Sequence, residues 1–349
     1  MSRSCLKSIC QKPYIHLRRK ETGVTIAEAT FLSTRLYFGV GRLPTITSSL
    51  LISSIALPEG SKVLSANRHG FSDWTVTARL IVLLPDGAEK KYFLKIATDE
   101  AGRVMMEGEY NSMISIYEIS PDFVPKPHTW GKFKLEAPET YFFLCDFIEM
   151  TNTLPEPALF CAKLAQLHEC SQSPTGMFGF PIPTCHGRFA QEISWDPNWP
   201  SFFTKLLRTA LAIEKKECDP WPEYEAISAR VLSHVIPRLI GALEENGRQI
   251  RPSLIHGDLW EGNVATDVSN GNIYIFDAGA YYAHHEMDLG MWRYERYEFA
   301  KKSEYKQEYL RVMGVDEPVE EFDDRNRLYC VKMNVVRSAH HPGCEEREM

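Results

Sequence analysis

The sequence lacks an apolar run long enough to cross a bilayer. Its longest candidate, residues 46–57, spans about 12 positions and is interrupted by Ser and Thr, so no membrane partner is expected. It also lacks a Cys-x-x-Cys pair. Its nine cysteines are odd in number and scattered, the pattern of reduced thiols in a cytoplasmic setting rather than of a disulfide or zinc framework. No internal repeat or low-complexity tract is present. Glycine and proline, 21 each, are too few for a fibrous or disordered chain. Excess positive charge is missing as well. A net charge of −7 argues against nucleic acid or an anionic surface as the main partner. No hydrophobic segment follows Met1, which excludes a secretory signal from the expectations.

What is present is a 349-residue chain, 44% apolar, with enough length for about two lobes around a sizeable core. Residues 1–50 hold eight Lys/Arg against two acids, so this stretch carries +6 and the remainder −13. The expectation is a basic N-terminal extension over 1–50, disordered, with the composition of a mitochondrial targeting segment as the alternative. A first lobe is expected over 51–148, a second over 149–340, and a tail over 341–349.

Residues 76–84 (VTARLIVLL) and 91–97 (KYFLKIA) read as strands joined by Pro85-Asp86-Gly87 turn chemistry. Met106, Tyr110, Met113 and Tyr117 recur at helical spacing within a helix predicted over 103–119. The aromatic run 141–148 (YFFLCDFI) predicts a buried strand. Beyond 151 the pattern turns helical, with helices predicted over 157–170, 201–213, 223–243 (broken at Pro237), 287–312 and 325–339. Residues 264–265 and 273–276 predict a short hairpin across the turn residues 269–272. The fold class expected is α+β, with a small sheet-rich lobe and a mainly helical one.

The stretch 254–279, LIHGDLWEGNVATDVSNGNIYIFDAG, carries the chemistry. His256-x-Asp258 is followed by Asn263 and then by Asp277, spacings of 5 and 14. That combination arises by chance about 0.0005 times in a chain of this composition. The residue types suit phosphoryl transfer, where a protein positions two reactants and neutralises spreading negative charge. Asp258 suits the base that accepts the proton of an attacking hydroxyl. Asn263 and Asp277 supply the oxygen ligands a magnesium ion needs between phosphates. The hairpin between them would bring both oxygens together.

Phosphates also need a cation, and that cation needs a carboxylate. Lys95 ends a predicted strand, and Glu109 lies 14 residues on in the helix that follows, with Glu107 as a competing partner. The loop Asn67–Trp74 is the candidate phosphate loop. It has a single glycine, and Gly70 and Ser72 could offer backbone N–H groups. Asp146, Phe147 and Ile148 fall where a hinge between lobes would read an adenine through the main chain. Trp260 is a candidate wall of an acceptor pocket. His256 reads as a brace for the loop. His284 is a candidate substrate contact, and no second pair of ligands makes a zinc site of His284 and His285.

With those residues in hand, the chain resembles the fructosamine kinase (ketosamine-3-kinase, protein-ribulosamine 3-kinase) family, in particular its fungal branch, within the aminoglycoside phosphotransferase-like kinases. The resemblance spans about residues 58–340. It rests on MMEGEYNSM (105–113), DFVPKP (122–127), FCAKLAQLH (160–168), SPTGMFGF (173–180), HGDLWEGNVA (256–265), FDAGAYYAHHEMDLGMWR (276–293) and DDRNRLY (323–329). It implies a bilobal protein-kinase-like fold and ATP- and Mg²⁺-dependent phosphorylation of the sugar 3-hydroxyl of ketosamines. The acceptors would be glycated proteins or small ketosamines, and the unstable 3-phosphate would release the amine, a repair step. Carried over by position, Asp258 matches the catalytic aspartate, Lys95 and Glu109 the phosphate-binding pair, residues 146–148 the hinge, and Asn263 and Asp277 the metal ligands. The phosphate loop is poorly matched, and Ala278 stands where proline is common. Two competing readings remain: another small-molecule kinase of the same superfamily, for choline, homoserine or an aminoglycoside, and a catalytically silent kinase-fold binding module. Nothing in the sequence speaks to oligomeric state.

Overall fold

A computed structural model describes residues 57–134, 137–151 and 153–343. The basic extension expected over 1–50 lies outside them.

The first lobe is a five-stranded antiparallel sheet with one long helix on it. Its elements are β1 (Lys62–Arg68), β2 (Val76–Leu83), β3 (Glu89–Thr98), α1 (Asp99–Ile119), β4 (Pro127–Lys132) and β5 (Thr140–Asp146), in sheet order β1-β2-β3-β5-β4. Strand alternation sorts the side chains. Leu94, Ile96, Phe142 and Leu144 face one side and join Val76, Ala78, Leu80 and Val82 in a small core. Ala97, Tyr141, Phe143 and Cys145 face the other side and join the main core under α1. Lys95, one residue from Leu94 and Ile96, therefore points to the α1 side. Helix α1 starts four residues earlier than the periodicity predicts. Gly102 weakens the helical pattern there, yet a Cβ at that position would lie 2.6 Å from the Ala97 carbonyl carbon. The glycine serves the tight return from β3.

The second lobe holds α2 (Pro157–Cys170), α3 (Trp199–Glu217), α4 (Pro222–Arg230) and four short strand pairings. Helices α2 and α3 begin as their sequences suggest. Glu156 caps Leu159 N–H and Asn198 Oδ1 caps Ser201 N–H, each followed by a proline or Trp-Pro start. The break expected at Pro237 is a π turn over Val231–Val235 that comes just before the residue without an N–H. Among the described residues only the helical run 222–247 has the length and apolar character of a bilayer-spanning helix. It carries Glu223, Glu225, Arg230, Arg238, Glu244 and Glu245, and it packs partly on α3.

Small strands place the catalytic segments: β6 (Met150–Thr151), β7 (Cys185–His186), β8 (Phe189–Ala190), β9 (Ser253–Ile255), β10 (Val264–Asp267), β11 (Ile273–Ile275) and β12 (Tyr281–Ala283). The predicted hairpin is β10–β11, with Val264 opposite Ile275. The continuous helix expected over 287–312 is instead 3-10 turns over His285–Arg293 and a separate α5 (Ser303–Met313). Gly290 explains the change: its backbone lies against Tyr329 of α6 (Phe322–His340), too close for a Cβ without movement. One large core runs from α1 through α2, α3 and the short strands to α6.

Candidate active site

The site lies between the lobes and is built from β3, α1, the β9–β11 region, the β7–β8 hairpin and α6. Lys95 Nζ donates to Glu109 Oε1 at 2.7 Å, Glu109 Oε2 at 2.9 Å and Asp277 Oδ1 at 2.6 Å. Burial works against its charge, but Asp277 and Glu109 outweigh that and hold the ammonium above its ordinary range. Glu107 is taken up by Arg103, which settles the competition in favour of Glu109.

Helix α1 reaches this position because of its own motif. Gly108 packs against the Pro183 carbonyl, where a Cβ would meet oxygen at 2.9 Å. Ser112 Oγ accepts from Ala280 N–H at 3.0 Å. Asp277 adopts φ 61°, a left-handed conformation uncommon outside glycine, and its side chain is 42% exposed into the cleft.

Asn263 and Asp277 are tied across the hairpin, since Phe276 N–H donates to Asn263 O at 3.1 Å. Asn263 Nδ2 donates to Asp258 O at 2.8 Å, and its distance to Asp258 Oδ2 is 3.4 Å. Asn263 thus adjoins Asp258 directly, and Asp277, which holds Lys95, follows the residue bonded to the Asn263 carbonyl. Burial pushes the Asp258 carboxyl up to about 7; Lys332 opposes this and Asp277 adds to it.

A set of buried braces holds the catalytic loop. The His256 and Gly257 N–H groups donate to Asp288 Oδ2 at 2.7 Å and Oδ1 at 2.9 Å. His168 Nε2 meets Asp288 Oδ2 at 3.1 Å. His256 Nδ1 accepts from Asp258 N–H at 3.2 Å, so Nε2–H is left to donate to Phe276 O at 3.0 Å. His256 therefore links Asp258 to the Asp277 segment. Gly257 has φ +82°, and a Cβ there would lie 2.4 Å from Gly279 O.

Beside Asp258 opens a cavity of about 150 Å³, lined among others by Trp74, His186, Trp260, Tyr297, Arg337 and His340. Trp260 forms part of its wall and packs on Tyr297, centroids 5.4 Å apart. The phosphate-loop candidate joins β1 to β2 above the cleft, with Gly70 at φ +77°. Ser72 Oγ is occupied by Trp74 N–H, Thr75 N–H and the Thr75 hydroxyl, which closes the loop on itself. Asp73 and Trp74 of this loop line the cavity. Asp146 ends β5 and is held by His128 Nε2 at 2.7 Å and Lys90 Nζ at 3.0 Å. Phe147 N–H reaches Lys91 O at 3.4 Å, and its ring meets that of His69 at 4.8 Å, so this aromatic is engaged with the first lobe. Ile148 follows in the strand-free connection to β6.

One expected substrate contact is corrected. His284 is fully buried, bonded through Nδ1 to Tyr329 Oη at 2.8 Å and through Nε2 to Asp316 Oδ2 at 2.9 Å, and it lines no part of the cavity. It is a core histidine. Its ligand atom lies within 4.8 Å of those of His285 and Glu286, but Glu286 is bound by Arg325 through two hydrogen bonds. Two further histidines join the site: His340, at the end of the expected second lobe, and His341, at the start of the expected tail. His340 ends α6, and both line the cavity. Trp74, expected only as the end of the phosphate-loop candidate, lines the cavity, and the sequence does not single out His186, Lys332 or Asp288. His186 and Lys332 are 146 residues apart with no motif between them; Asp288, within HHEMDL, sat in a predicted helix.

The strand order, the Lys95–Glu109 pair of the first lobe and the Asp258/Asn263/Asp277 group define the class of kinase-like phosphotransferase folds. Within that class the chain belongs to the fructosamine kinase family, whose model matches residues 77–340. It is 30% identical over 191 residues to the protein-ribulosamine 3-kinase, chloroplastic, of Arabidopsis thaliana, covering 54% of this chain and 55% of that protein. Over 230 residues it is 29% identical to the ketosamine-3-kinase of Mus musculus, covering 59% and 70%. The chain thus spans just over half the length of the plant relatives it matches. A solved structure from Haemophilus somnus, described as a fructosamine-3-kinase, superposes with TM-score 0.67 at 17% identity, over 86% of this chain and 92% of that one. A thermostable mutant of an aminoglycoside phosphotransferase follows at 0.56 and 16% identity, over 84% and 92%.

Proposed function

We propose that this chain transfers the γ-phosphoryl group of ATP to a sugar hydroxyl of ketosamine adducts, the 3-hydroxyl of ribulosamine- or fructosamine-type acceptors on proteins or amines. The observation that carries the reading is Lys95 bridging Glu109 and Asp277, with Asp258 on the cavity wall and near enough to Asp277 to feel its charge. Phosphoryl transfer asks for that set: a base, a phosphate cation and oxygen ligands on one side of a gap.

The donor set fits magnesium. Asn263 and Asp277 offer hard oxygen ligands at one end of a hairpin, with no sulfur or imidazole among them. These two residues would hold the ion, which when bound offsets the charge on the transferring phosphates. Lys95 would meet the same phosphates from the first lobe. The main chain of residues 146–148 is the candidate adenine edge. Asp258 accepts the proton of the acceptor hydroxyl at its carboxylate, and a pKa raised to about 7 by burial suits a base working near neutral pH. Trp260 and Tyr297 give the sugar an apolar wall and keep water from the attacking oxygen.

The names of the plant and mouse relatives support ketosamines as acceptors. The decisive experiment mixes the full chain with Mg·ATP and a ribulose-lysine model compound and follows phosphate transfer, with an aminoglycoside as control acceptor. Transfer to the ketosamine alone is expected. Transfer only to the aminoglycoside rejects the acceptor, and no nucleotide-dependent thermal stabilisation rejects the kinase reading itself.

A further inference from the structure

Lys332, in α6, is 1% exposed, and among the described residues no carboxylate lies within ion-pair reach of it. Its Nζ donates to Gln191 Oε1 at 2.8 Å and to His186 Nδ1 at 3.2 Å, with Met333 Sδ at 3.8 Å. Asp258 and Asp288 act on this ammonium only from beyond ion-pair distance, and burial outweighs them and lowers it to about 8, so the charge is a costly one for a core to hold. A hydrophobic residue of the same length would pack there without that cost. The position of the charge therefore asks for a reason beyond packing.

Its partners give that reason. Gln191 Nε2 donates to Gly279 O and to Thr184 Oγ1, both at 3.2 Å, which turns Oε1 toward Lys332. Lys332 has only protons to give, so His186 Nδ1 must accept, and the imidazole proton must sit on Nε2. His186 Nε2 lies 3.5 Å from Asp258 Oδ1. Burial, then Lys332 and His340, push His186 well below the ordinary histidine range, so the ring is neutral and has one N–H to direct. The ring sits on β7, and its hairpin is pressed so tightly on the Asp277 segment that a Cβ at Gly279 would meet Cys185 O at 2.2 Å. The chain Gln191, Lys332, His186, Asp258 thus runs from a rigid hairpin to the base.

We propose that Lys332 and His186 are a positioning pair for Asp258: Lys332 fixes the imidazole so that Nε2–H faces Oδ1 and leaves the other carboxylate oxygen to the acceptor hydroxyl. The inference rests on the role given to Asp258 under the proposed function. Neither residue touches the reacting atoms, and the pair acts through the orientation of the carboxylate.

Two readouts on the full-length protein test it. Histidine ¹⁵N NMR, with the His186 signal assigned by its loss in His186→Gln, reports the tautomer without any acceptor. The Nε2–H form is expected in the wild type and is lost to a mixture in Lys332→Met. Steady-state kinetics with Mg·ATP and ribulose-lysine give the second readout. Lys332→Met and His186→Leu should lower kcat about ten- to a hundred-fold, the scale of a misplaced catalytic group, with the KM for ATP unchanged. His186→Gln, which keeps a donor and an acceptor, should retain several-fold more activity than His186→Leu. An Nδ1–H tautomer in the wild type overturns the pair, as do wild-type rates in both Lys332→Met and His186→Leu. Equal losses in His186→Gln and His186→Leu also overturn it, since that marks packing alone. If Lys332→Met does not fold, the two His186 variants and the wild-type tautomer decide. Wild-type protein inactive on the ketosamine rejects the acceptor, and the tautomer then judges the pair by itself.

Discussion

Lys95→Met removes a cation that bonds two carboxylates from different lobes. Lys95 is 5% exposed and the Glu109 side chain 13%, so the variant leaves a buried carboxylate without its partner. Breaking a buried pair from one side costs about 3–5 kcal/mol. Asp277, 42% exposed, can rehydrate and adds little, which favours the lower end, ~3 kcal/mol. For a chain of this size each kcal/mol moves Tm by about 2 °C, so Tm should fall by roughly 6 °C. Lys95→Met/Glu109→Leu removes both charges and should regain most of that loss.

The pH dependence has a definite sign. Burial pushes Glu109 above the ordinary carboxylate range, and losing Lys95 raises it further. A group with a raised folded pKa contributes stability below its unfolded value, and that stability is lost as pH rises through the folded value. The single variant should therefore be closer to wild type at pH 5.5 than at pH 8. Differential scanning fluorimetry at both pH values, with and without Mg·ATP, checks it. Nucleotide stabilisation should vanish in both variants. A pH-independent loss, or a double variant no more stable than the single one, refutes the reasoning.

Asp258→Asn should lower kcat by about 10³-fold or more with the KM for ATP unchanged, as expected for loss of a base. In the wild type, kcat should fall about tenfold per unit as pH drops below the Asp258 value of about 7; a flat profile from pH 5.5 to 8 counts against Asp258 as the base. Gly279→Ala places a methyl group 2.2 Å from Cys185 O, so it should lower Tm by several degrees and abolish turnover by lifting the β7–β8 hairpin. His284→Gln should lower Tm without changing the KM for the acceptor; a raised acceptor KM at unchanged Tm would return His284 to the substrate pocket.

The sequence made the phosphate side of the cleft readable because its parts lie close together or at spacings that geometry explains. Asp258, Asn263 and Asp277 fall within 20 residues, and the β10–β11 hairpin converts that spacing into proximity. Lys95 and Glu109 are separated by one strand end and less than three helical turns. Elements with clean periodicity were placed to within a few residues. The failures share a cause: tertiary contacts overrode local pattern. Residues 287–312 have helical composition, yet Gly290 must touch Tyr329 and Asp288 must reach two backbone N–H groups of the catalytic loop, and no continuous helix does both. His284 has a polar side chain next to a functional segment, but only the fold shows that Tyr329 and Asp316 consume both nitrogens.

Of the proposed acceptor side only Trp260 was readable, and the reason bears on specificity. Its wall draws on five segments: the β1–β2 loop, the β7–β8 hairpin, residues 258–260, residues 291–297 and α6. Trp74 stacks obliquely on His340 at 4.7 Å, and the Arg188 guanidinium lies 5.6 Å from the same indole. His340 Nδ1–H donates to Val336 O at 2.8 Å, which leaves Nε2 to accept from Arg188 N–H at 3.2 Å. The indole, the imidazole and the guanidinium therefore hold one another in place from three parts of the chain. Two of those parts belong to the second lobe, and the third is the β1–β2 loop of the first. Because the indole comes from the first lobe and its two partners from the second, any change in how the lobes meet alters this wall. On the proposed function, acceptor choice is thus a property of how the lobes meet, and no motif confined to one segment could carry it.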